Sequence, residues 1–453
     1  MEHPAYLSTT NACKLCKPLG ACLAFRGIEG AVPMLHGSQG CATYMRRYII
    51  SHYREPMDIA SSSLGEKHAV YGGGPNLKQG LQNVMTKFGA SVIGIATTCL
   101  TETIGDDVPM IVREFRREMQ DNGLGELPAL VTVSTPSYSG THMEGFHAAV
   151  RATVKQLSTD ENSVQMLNLL PGFLSPADLR YLKEIMDDFR YPSVILPDFS
   201  LTLDGPALKD YEKVPRGGTA VEGIRRMGGA EATFEFGRTL AESETAGKFL
   251  HESFGVPLHR MGIPIGIRET DIFFDFLEEL NGAGRPDKYV LERGRLIDAY
   301  VDGHKYLFGK RAIVYGEEDL VVGLTSFLAE VGVIPVLCAS GGRSGRFKSA
   351  IEQVIAGILP QAPDVCEGMD FYRIEELARE LSPDLLIGNS KGYTLARKLN
   401  IPLIRVGFPI HDRFGAQRTL HVGYRGTHSL LDRTVNALIE ANQNSSPVGY
   451  AYM

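Results

Sequence analysis

Short runs of aliphatic and β-branched residues alternate along this chain with longer segments of helical periodicity. Ser91–Ala96 (SVIGIA) and Ala129–Val133 (ALVTV) predict buried strands. Val108–Met119 and His142–Leu157, one after each strand, have the apolar spacing of amphipathic helices. Strands that alternate with helices in this way predict a parallel sheet with helices on both faces.

The same alternation restarts twice further along the chain. The second unit is predicted to contain the strand Ser163–Leu170, the helix Ala177–Phe189 and the strand Ser193–Pro197, before a proline- and glycine-rich stretch at Pro206–Gly218. The third unit is predicted to contain the strands Ala312–Tyr315, Val333–Ala339, Leu385–Gly388 and Ile401–Val406 and the helices Glu318–Val331 and Tyr393–Leu399. We therefore predict an α/β protein of three doubly wound, Rossmann-like parallel-sheet domains, at residues 1–160, 161–300 and 301–453.

Length and charge narrow the class of protein. The 453 residues are too many for one hydrophobic core and fit about two to four domains. The formal net charge of −7 argues against a nucleic-acid-binding protein, which would be basic. The chain has neither the apolar run of about 20 residues that a membrane helix needs nor a signal-peptide pattern at its start. We therefore expect a soluble, cytoplasmic protein that binds neither nucleic acids nor membranes.

Seven cysteines are distributed unevenly, with five in the first quarter of the chain. In a reducing compartment disulfides are unfavourable, so metal binding or catalysis better explains a cysteine in an unusual setting. Cys22, Cys338 and Cys366 have the settings of ordinary core residues, since a lone cysteine is usually a small buried apolar side chain. Cys13 and Cys16 form a CxxC pair, but no second pair or nearby histidines complete a zinc site.

Cys16, Cys41 and Cys99 each lie beside small residues or a proline, at the predicted end of an element. Glycines let the backbone approach a bulky ligand, and N–H groups at helix starts can donate to thiolate and sulfide. Cys99 and Ser137 each follow a predicted strand, at the edge where doubly wound sheets bind ligands. These settings suit an iron–sulfur cluster, although spacing alone leaves its presence open.

Several motifs resemble those of one protein family. They are CKPLG (16–20), HGSQGC (36–41), REP (54–56), GGGPN (72–76), TTCLTETIGDD (97–107), IGNS (387–390) and GFP (407–409). In this order they resemble the β-type subunits of nitrogenase component 1, which include the β chain of the molybdenum–iron protein and its assembly-scaffold paralogue NifN. The resemblance is densest in the first third of the chain, and a three-domain α/β architecture agrees with the family over the rest.

This resemblance implies an oxidoreductase subunit that shares an iron–sulfur cluster. In the family's β chains the three matching cysteines hold half of the eight-iron P-cluster, so Cys16, Cys41 and Cys99 are the implied ligands of an 8Fe-7S cluster or, as an alternative, a 4Fe-4S cluster. Ser137 matches the serine of a Thr-Pro-Ser motif that joins the oxidised cluster. The other ligands would come from a homologous α-type subunit, in an α2β2 assembly. Electrons would come from an ATP-dependent iron protein. Cys13 has no assigned role.

Three functions inside the family fit these motifs. The first is an electron-relay subunit of nitrogenase, or of a nitrogenase-like reductase such as methylthio-alkane reductase, with the substrate reduced in the partner. The second is a NifN-type scaffold, which holds a four-iron cluster while the nitrogenase cofactor matures. The third is a tetrapyrrole reductase. Three matched cysteines and Ser137 favour the relay, because many scaffolds lack one of them and tetrapyrrole reductases use fewer. A metal-free binding protein outside the family would leave the motif cysteines unexplained.

Polar residues near these motifs have two interpretations each. His36 could be a metal ligand or a catalytic acid. We prefer a structural role, in which it packs or forms hydrogen bonds beside the cluster. Glu102, Asp106 and Asp107 could form a carboxylate site, and stabilisation of helix starts is the simpler interpretation. The loop Ser340–Arg346 could wrap an anion with its two arginines, and a solvated surface loop is preferred.

Overall fold

Three parallel β-sheets, one in each third of the chain, organise the structure, a computed structural model that describes residues 13–123, 126–159, 163–210, 212–240 and 243–448. Among these residues every pair of adjacent strands is parallel. Helices connect the strands within each sheet. The predicted fold class, α/β with three doubly wound units, is confirmed, while the exact domain boundaries remain a prediction.

The first unit carries the cysteine motifs. Its elements are α1 (Lys17–Arg26), β1 (Ala31–His36), α2 (Gln39–Tyr53), β2 (Ala60–Ser61), α3 (His68–Tyr71), α4 (Gly74–Phe88), β3 (Val92–Thr97), α5 (Cys99–Ile104), α6 (Val108–Asp121), β4 (Ala129–Val133) and α7 (His142–Leu157). The strand order is β2–β1–β3–β4. Because the strands are parallel, the carboxyl ends of β1, β3 and β4 meet at one edge of the sheet.

The second and third units repeat this plan. The second contains β5 (Val164–Leu170), α8 (Pro176–Asp188), β6 (Ser193–Ile195), α9 (Val221–Arg225), β7 (Ala230–Phe236), α10 (Ala246–Phe254), β8 (Leu258–Met261), α11 (Ile267–Asn281) and α12 (Asp287–Leu307). The third contains β9 (Arg311–Gly316), α13 (Glu318–Glu330), β10 (Ile334–Ser340), α14 (Phe347–Ile355), β11 (Asp364–Cys366), α15 (Phe371–Leu381), β12 (Leu385–Gly388), α16 (Tyr393–Leu399), β13 (Leu403–Arg405) and α17 (Gly423–Ser445). Their strand orders are β6–β5–β7–β8 and β11–β10–β9–β12–β13.

The predicted elements agree with the structure, mostly to within one or two residues at each end. The largest difference is at the last strand, which was predicted over Ile401–Val406 and extends over Leu403–Arg405. Pro402 precedes it and has no N–H to donate to a neighbouring strand, which shortens the paired segment. In the part of the chain that the structure describes, no helix is both long and apolar enough to cross a membrane.

Two helices of the first unit, α1 and α7, bring their backbones into direct contact. Every residue of α1 after Lys17 is buried. A Cβ atom on Gly20 would lie 1.7 Å from the carbonyl oxygen of His142, and one on Gly145 would lie 1.8 Å from that of Lys17. Only glycine permits this approach. The start of α1, and with it Cys16, is thereby fixed against the start of α7.

Replacement of Gly20 tests this contact. We expect Gly20→Ala to lower the free energy of unfolding by about 1–3 kcal/mol or more, because the added methyl group overpacks a buried helix pair. The matched control is Gly294→Ala, on an exposed turn of α12 with no heavy atom within 4 Å of the added Cβ. That control should be neutral or stabilise the protein by up to about 1 kcal/mol. Urea unfolding would measure both, and equal midpoints would show that α1 moves away without cost.

A buried histidine anchors α2 to the third unit. His52 Nδ1 accepts the backbone N–H of Ile410 at 2.9 Å, and its ring packs edge-on against Phe408 with the ring centroids 4.9 Å apart. Burial, helped by the positive charges of His411 and Arg54, lowers the pKa of His52 to about 3. The imidazole therefore stays neutral near pH 7, the form in which Nδ1 can accept a hydrogen bond.

This histidine predicts a pH dependence of stability. Below about pH 6.5 the unfolded chain binds a proton at His52 while the folded chain does not. The free energy of unfolding should therefore decrease as the pH is lowered through that range, by up to about 1.4 kcal/mol per pH unit. We expect His52→Gln to flatten the fall measured by urea unfolding. His428→Gln, at a histidine whose side chain is 37% exposed, should not flatten it. Parallel pH profiles for wild type and His52→Gln would contradict this assignment.

Candidate metal centre

The three motif cysteines lie at the N-terminal ends of three different helices. Cys16 is the N-cap of α1, Cys41 lies in the first turn of α2, and Cys99 is the first residue of α5. α2 and α5 follow the neighbouring strands β1 and β3, and Ser137 begins a 3-10 turn after β4. The carboxyl edge of the first sheet therefore gathers Cys41, Cys99 and Ser137, and α1 adds Cys16 from outside the sheet.

Ser137 connects two of these cysteines. Its backbone N–H donates to Cys99 Sγ at 3.3 Å, and its hydroxyl is near enough to Cys16 to affect the pKa of that thiol. Burial raises the pKa of the Cys16 thiol, the hydroxyl of Ser137 opposes this, and the charges of Cys99 and Cys41 raise it further. A negative charge on one sulfur atom opposes ionisation of the other two thiols. The three sulfur atoms therefore form one electrostatic group, and a bound cation would stabilise their ionised form.

The surface around the thiols is open. Cys99 is exposed, and Cys16 and Cys41 are partly buried. Two tyrosines near the thiols are exposed: Tyr44 is 42% exposed and Tyr138, next to Ser137, is 68% exposed. Burial raises the pKa of Tyr44, and so do a hydrogen bond and charge from Tyr48 and the charge of Cys16. The site thus faces outward, with large aromatic side chains beside it.

Hydroxyl groups fix the turn that presents Cys99. The side chains of Thr98 and Thr101 both donate to the carbonyl oxygen of His36, at 3.0 and 3.1 Å. They tie the end of β3 to the end of β1. A Cβ atom on Gly37 would lie 2.4 Å from Thr98 Oγ1, so this close approach requires glycine in the HGSQGC motif. Cys41 is held in a similar way, since Ser38 Oγ accepts its N–H at 3.5 Å.

A second hydroxyl pair places the segment that carries Ser137. Thr135 Oγ1 donates to the carbonyl oxygen of Thr97 at 2.7 Å, and the N–H of Thr135 donates to Thr97 Oγ1 at 2.7 Å. Thr97 Oγ1 in turn donates to the Glu102 carboxylate, which also accepts from Ser134 Oγ. The Glu102 carboxylate therefore joins β3 to the segment after β4 and serves the geometry of the site.

His36 has a structural position. It is fully buried, its Nδ1 lies 2.9 Å from Ser62 Oγ, and its Nε2 lies 3.0 Å from Asp106 Oδ2. Burial lowers the pKa of His36 against the opposing effect of Asp106. Asp106 also accepts the N–H of Gly73, at 3.0 Å. Asp107 has a different task, because its side chain caps α6 by accepting the N–H of Met110.

The two neighbouring aspartates predict unequal losses of stability. Asp106→Ala leaves buried His36 and the N–H of Gly73 without their acceptor, and we expect it to cost about 1–3 kcal/mol. Asp107→Ala removes one helix cap, for about 1 kcal/mol. Chemical unfolding of both variants measures the difference. An Asp106→Ala loss no larger than that of Asp107→Ala would show that the His36 network is replaceable by water.

The remaining cysteines lie outside this site. Cys22 and Cys338 are fully buried, as predicted, and Cys338 Sγ lies 3.3 Å from Thr325 Oγ1. Cys366, on the edge strand β11, is partly buried. Cys13 packs into the third unit, where its N–H donates to the carbonyl oxygen of Met369 at 3.2 Å. Burial raises the pKa of Cys13 to about 12, so this thiol stays protonated.

A cavity of about 380 Å³ opens among the three units, and its walls include none of the three motif cysteines. Its acidic residues are engaged within the protein: Glu317 Oε1 lies 2.7 Å from His142 Nε2, and Asp319 accepts from both the N–H and the hydroxyl of Thr239. Burial raises the pKa of Glu318, which accepts the N–H of Ser344, to about 7.

The loop Ser340–Arg346 forms one wall of this cavity and offers no anion cradle. The N–H of Ser344 donates to Glu318, and the N–H of Gly345 donates to Glu367 at 3.1 Å. Carboxylates of the chain itself therefore occupy the backbone donors that an anion would need. Ser344 and Gly345 are exposed, which favours the solvated-loop interpretation.

The three cysteines and Ser137 at the first sheet have the ligand chemistry of a cluster site rather than of a site for a single metal ion. Within the described ranges, no three His, Cys, Asp or Glu side chains converge closely enough to hold a single metal ion. Thiolates at glycine-rich helix starts, with backbone N–H groups pointing at sulfur, are the ligands that iron–sulfur clusters use. Cys16, Cys41, Cys99 and Ser137 fit such a cluster by their chemistry.

Sequence reasoning missed several residues that shape the site. Ser38 had a readable signal, since a serine three residues before Cys41 is a typical N-cap pattern. Thr98 and Thr101 cap the start of α5, and both threonines are visible in the TTCLT motif as possible capping residues. Lys391 had no local signal, because it belongs to the third unit and its Nζ donates to the carbonyl oxygen of Lys14, 377 positions away.

Comparison with known proteins gives one consistent result. The family model of nitrogenase component 1 type oxidoreductases matches residues 16–439. The molybdenum–iron protein beta chain of Clostridium pasteurianum nitrogenase is 35% identical over 95% of this chain and 93% of its own length. The vanadium–iron protein beta chain of Trichormus variabilis is 34% identical over 93% of this chain and 92% of its own length. A solved structure, nitrogenase Cp1 at pH 6.5, superimposes with a TM-score of 0.95 at 33% identity and covers 100% of this chain and 98% of that chain. The chain therefore belongs to the nitrogenase component 1 type oxidoreductases, as a β-type subunit.

Proposed function

We propose that this chain is the β-type subunit of a nitrogenase or nitrogenase-like reductase that holds half of a P-cluster-type iron–sulfur cluster. Cys16, Cys41 and Cys99 would hold the cluster, and Ser137 would supply a further ligand to its oxidised form. A homologous α-type subunit supplies the other half in an α2β2 assembly. When bound, the cluster passes electrons from an ATP-dependent iron protein to the partner's cofactor, where substrate is reduced.

The observation that carries this proposal is that three thiols and one hydroxyl lie at one edge of the first sheet, each at the start of a separate helix or turn. Each cysteine lies at a helix N-terminus, where backbone N–H groups of the first turn have no partner within the helix and can donate to sulfur. Thiolate is the form that binds iron. An ordinary core cysteine, such as Cys22, lies inside a helix and is fully buried.

The openness of the site supports a shared cluster. Three thiolates from one chain leave most of a large cluster's iron atoms without protein ligands. The exposure of Cys99 and of the nearby Tyr138 places both on a surface that a second subunit could cover. Burial under a partner would exclude water from the thiolates and would use the aromatic surface as contact area.

Individual residues of the chain have definite tasks in this proposal. The Ser137 N–H donates to Cys99 Sγ and stabilises its negative charge. Ser38 donates its hydroxyl to Cys41 Sγ at 3.5 Å. Lys17, beside Cys16, donates to Ser139 Oγ at 3.1 Å and so holds the 3-10 turn that contains Ser137. These contacts orient the ligands before any cluster binds.

The decisive experiment is replacement of one proposed ligand in the complex with the α-type partner. We expect Cys41→Ala, purified anaerobically, to lose the iron held at this site and to pair less tightly with the partner, because one of the three proposed ligands of the shared cluster is gone. Iron quantification and size-exclusion chromatography measure the two effects. The matched control is Cys366→Ala, a partly buried cysteine outside the site.

The size of the loss identifies the function. A difference of about eight iron atoms per αβ pair between wild type and Cys41→Ala, with EPR signals of a cluster oxidisable by two electrons, supports the relay. A difference of about four iron atoms with a one-electron signal would instead favour a NifN-type scaffold or a tetrapyrrole reductase. Full iron content and full assembly in Cys41→Ala would refute the ligand assignment.

A further inference from the structure

A lysine of the third unit reaches the segment that leads into Cys16. Lys391 lies in a 3-10 turn, Ser390–Gly392, directly after β12. Its Nζ donates to the carbonyl oxygen of Lys14 at 3.4 Å, across 377 positions of sequence. Lys14 is two residues before Cys16, so this ammonium group contacts the segment that leads into the first proposed ligand of the cluster.

The turn that carries Lys391 is held from several directions. Asn389 is buried, its Oδ1 accepts the N–H of Lys391 at 3.1 Å, and its Nδ2 donates to the carbonyl oxygen of Phe408 at 3.3 Å. Tyr315 Oη donates to the carbonyl oxygen of Asn389 at 2.5 Å. A Cβ atom on Gly392 would lie 2.1 Å from Tyr315 Oη. The IGNS motif therefore fixes where the lysine leaves the backbone.

The segment that receives the lysine is fixed as well. The N–H of Cys13 donates to Met369 of the third unit, and the N–H of His142, at the start of α7, donates to the carbonyl oxygen of Leu15 at 3.1 Å. A Cβ atom on Gly341 would lie 2.4 Å from the carbonyl oxygen of Cys13. Both ends of the contact between Lys391 and Lys14 are therefore set by the fold.

The charge of Lys391 acts on the Cys16 sulfur. Its sign favours negative charge at that sulfur. The nearby carboxylates Glu317 and Asp370 affect Cys13, which is buried and stays a thiol. Because Lys391 is partly buried, solvent screens its charge less than that of an exposed lysine.

We propose that Lys391 tunes the reduction potential of the cluster that Cys16 helps to hold, by placing a fixed positive charge beside it. The proposal rests on the proposed function, since it requires a cluster at Cys16. A reduced cluster carries one more negative charge than the oxidised one. A nearby cation stabilises the reduced state more than the oxidised state, and so raises the reduction potential.

The test measures a potential and an iron content in the assembled αβ complex. EPR-monitored redox titration gives the midpoint potential of the couple that Cys41→Ala abolishes, which assigns the signal to this site. We expect Lys391→Met and Lys391→Gln to keep full iron and to shift that midpoint to more negative values. Lys391→Arg, which keeps the charge, should restore the wild-type midpoint.

A matched control separates local charge from net charge. Lys398→Met removes a lysine of the same unit whose Nζ pairs with Glu375, and it should leave the midpoint unchanged. Full iron with an unchanged midpoint in both neutral Lys391 variants would overturn the proposal. Loss of iron from both neutral variants would also overturn it, because the charge would then serve cluster retention. A wild-type complex without iron at this site would refute the proposed function instead.

Discussion

Direct backbone contact between α1 and α7 is the constraint on which the rest of this structure depends. Gly20 and Gly145 let the two helices approach until carbonyl oxygens occupy the space that side chains would take. α1 is also pressed against the second unit, where a Cβ atom on Gly27 would lie 2.4 Å from Pro197 Cβ. A helix buried on every side has no solvent-facing surface that could absorb a shift. A movement of α1 would therefore displace Cys16 from the other thiols.

The site itself arises from the ends of parallel strands. β1, β3 and β4 finish at the same edge, and the helices or turns that follow begin there, so helix N-termini accumulate at one place. Their partial positive charges suit thiolates. The same crowding leaves many backbone donors and acceptors near the core, and short hydroxyl side chains satisfy them: Thr97, Thr98, Thr101 and Thr135 are all buried and hydrogen-bonded. The threonine-rich motif thus satisfies backbone groups and, by doing so, positions Cys99.

The three units contribute unequally to this centre. The first carries the three cysteines proposed as ligands, while the third contacts the segment before Cys16 and brings one cation towards it. The second carries no proposed ligand. Its aromatic residues, with Phe173 packed against both Phe146 and Phe408, fill the core between the other two. Both other units therefore support the position of one edge of the first sheet.

The sequence by itself determined the elements and the residue types, since these depend on neighbours along the chain. The strand Ala129–Val133 and the helix His142–Leu157 have their predicted bounds, because hydrophobic periodicity and capping are local properties. The settings of Cys16, Cys41 and Cys99, beside small residues or a proline, were equally readable. Only the tertiary structure decided which distant groups meet. Asp106 pairs with His36 across 70 positions, and Lys391 reaches Lys14 across 377. Such contacts follow from strand order and from how the three units pack, and neither is encoded in local periodicity.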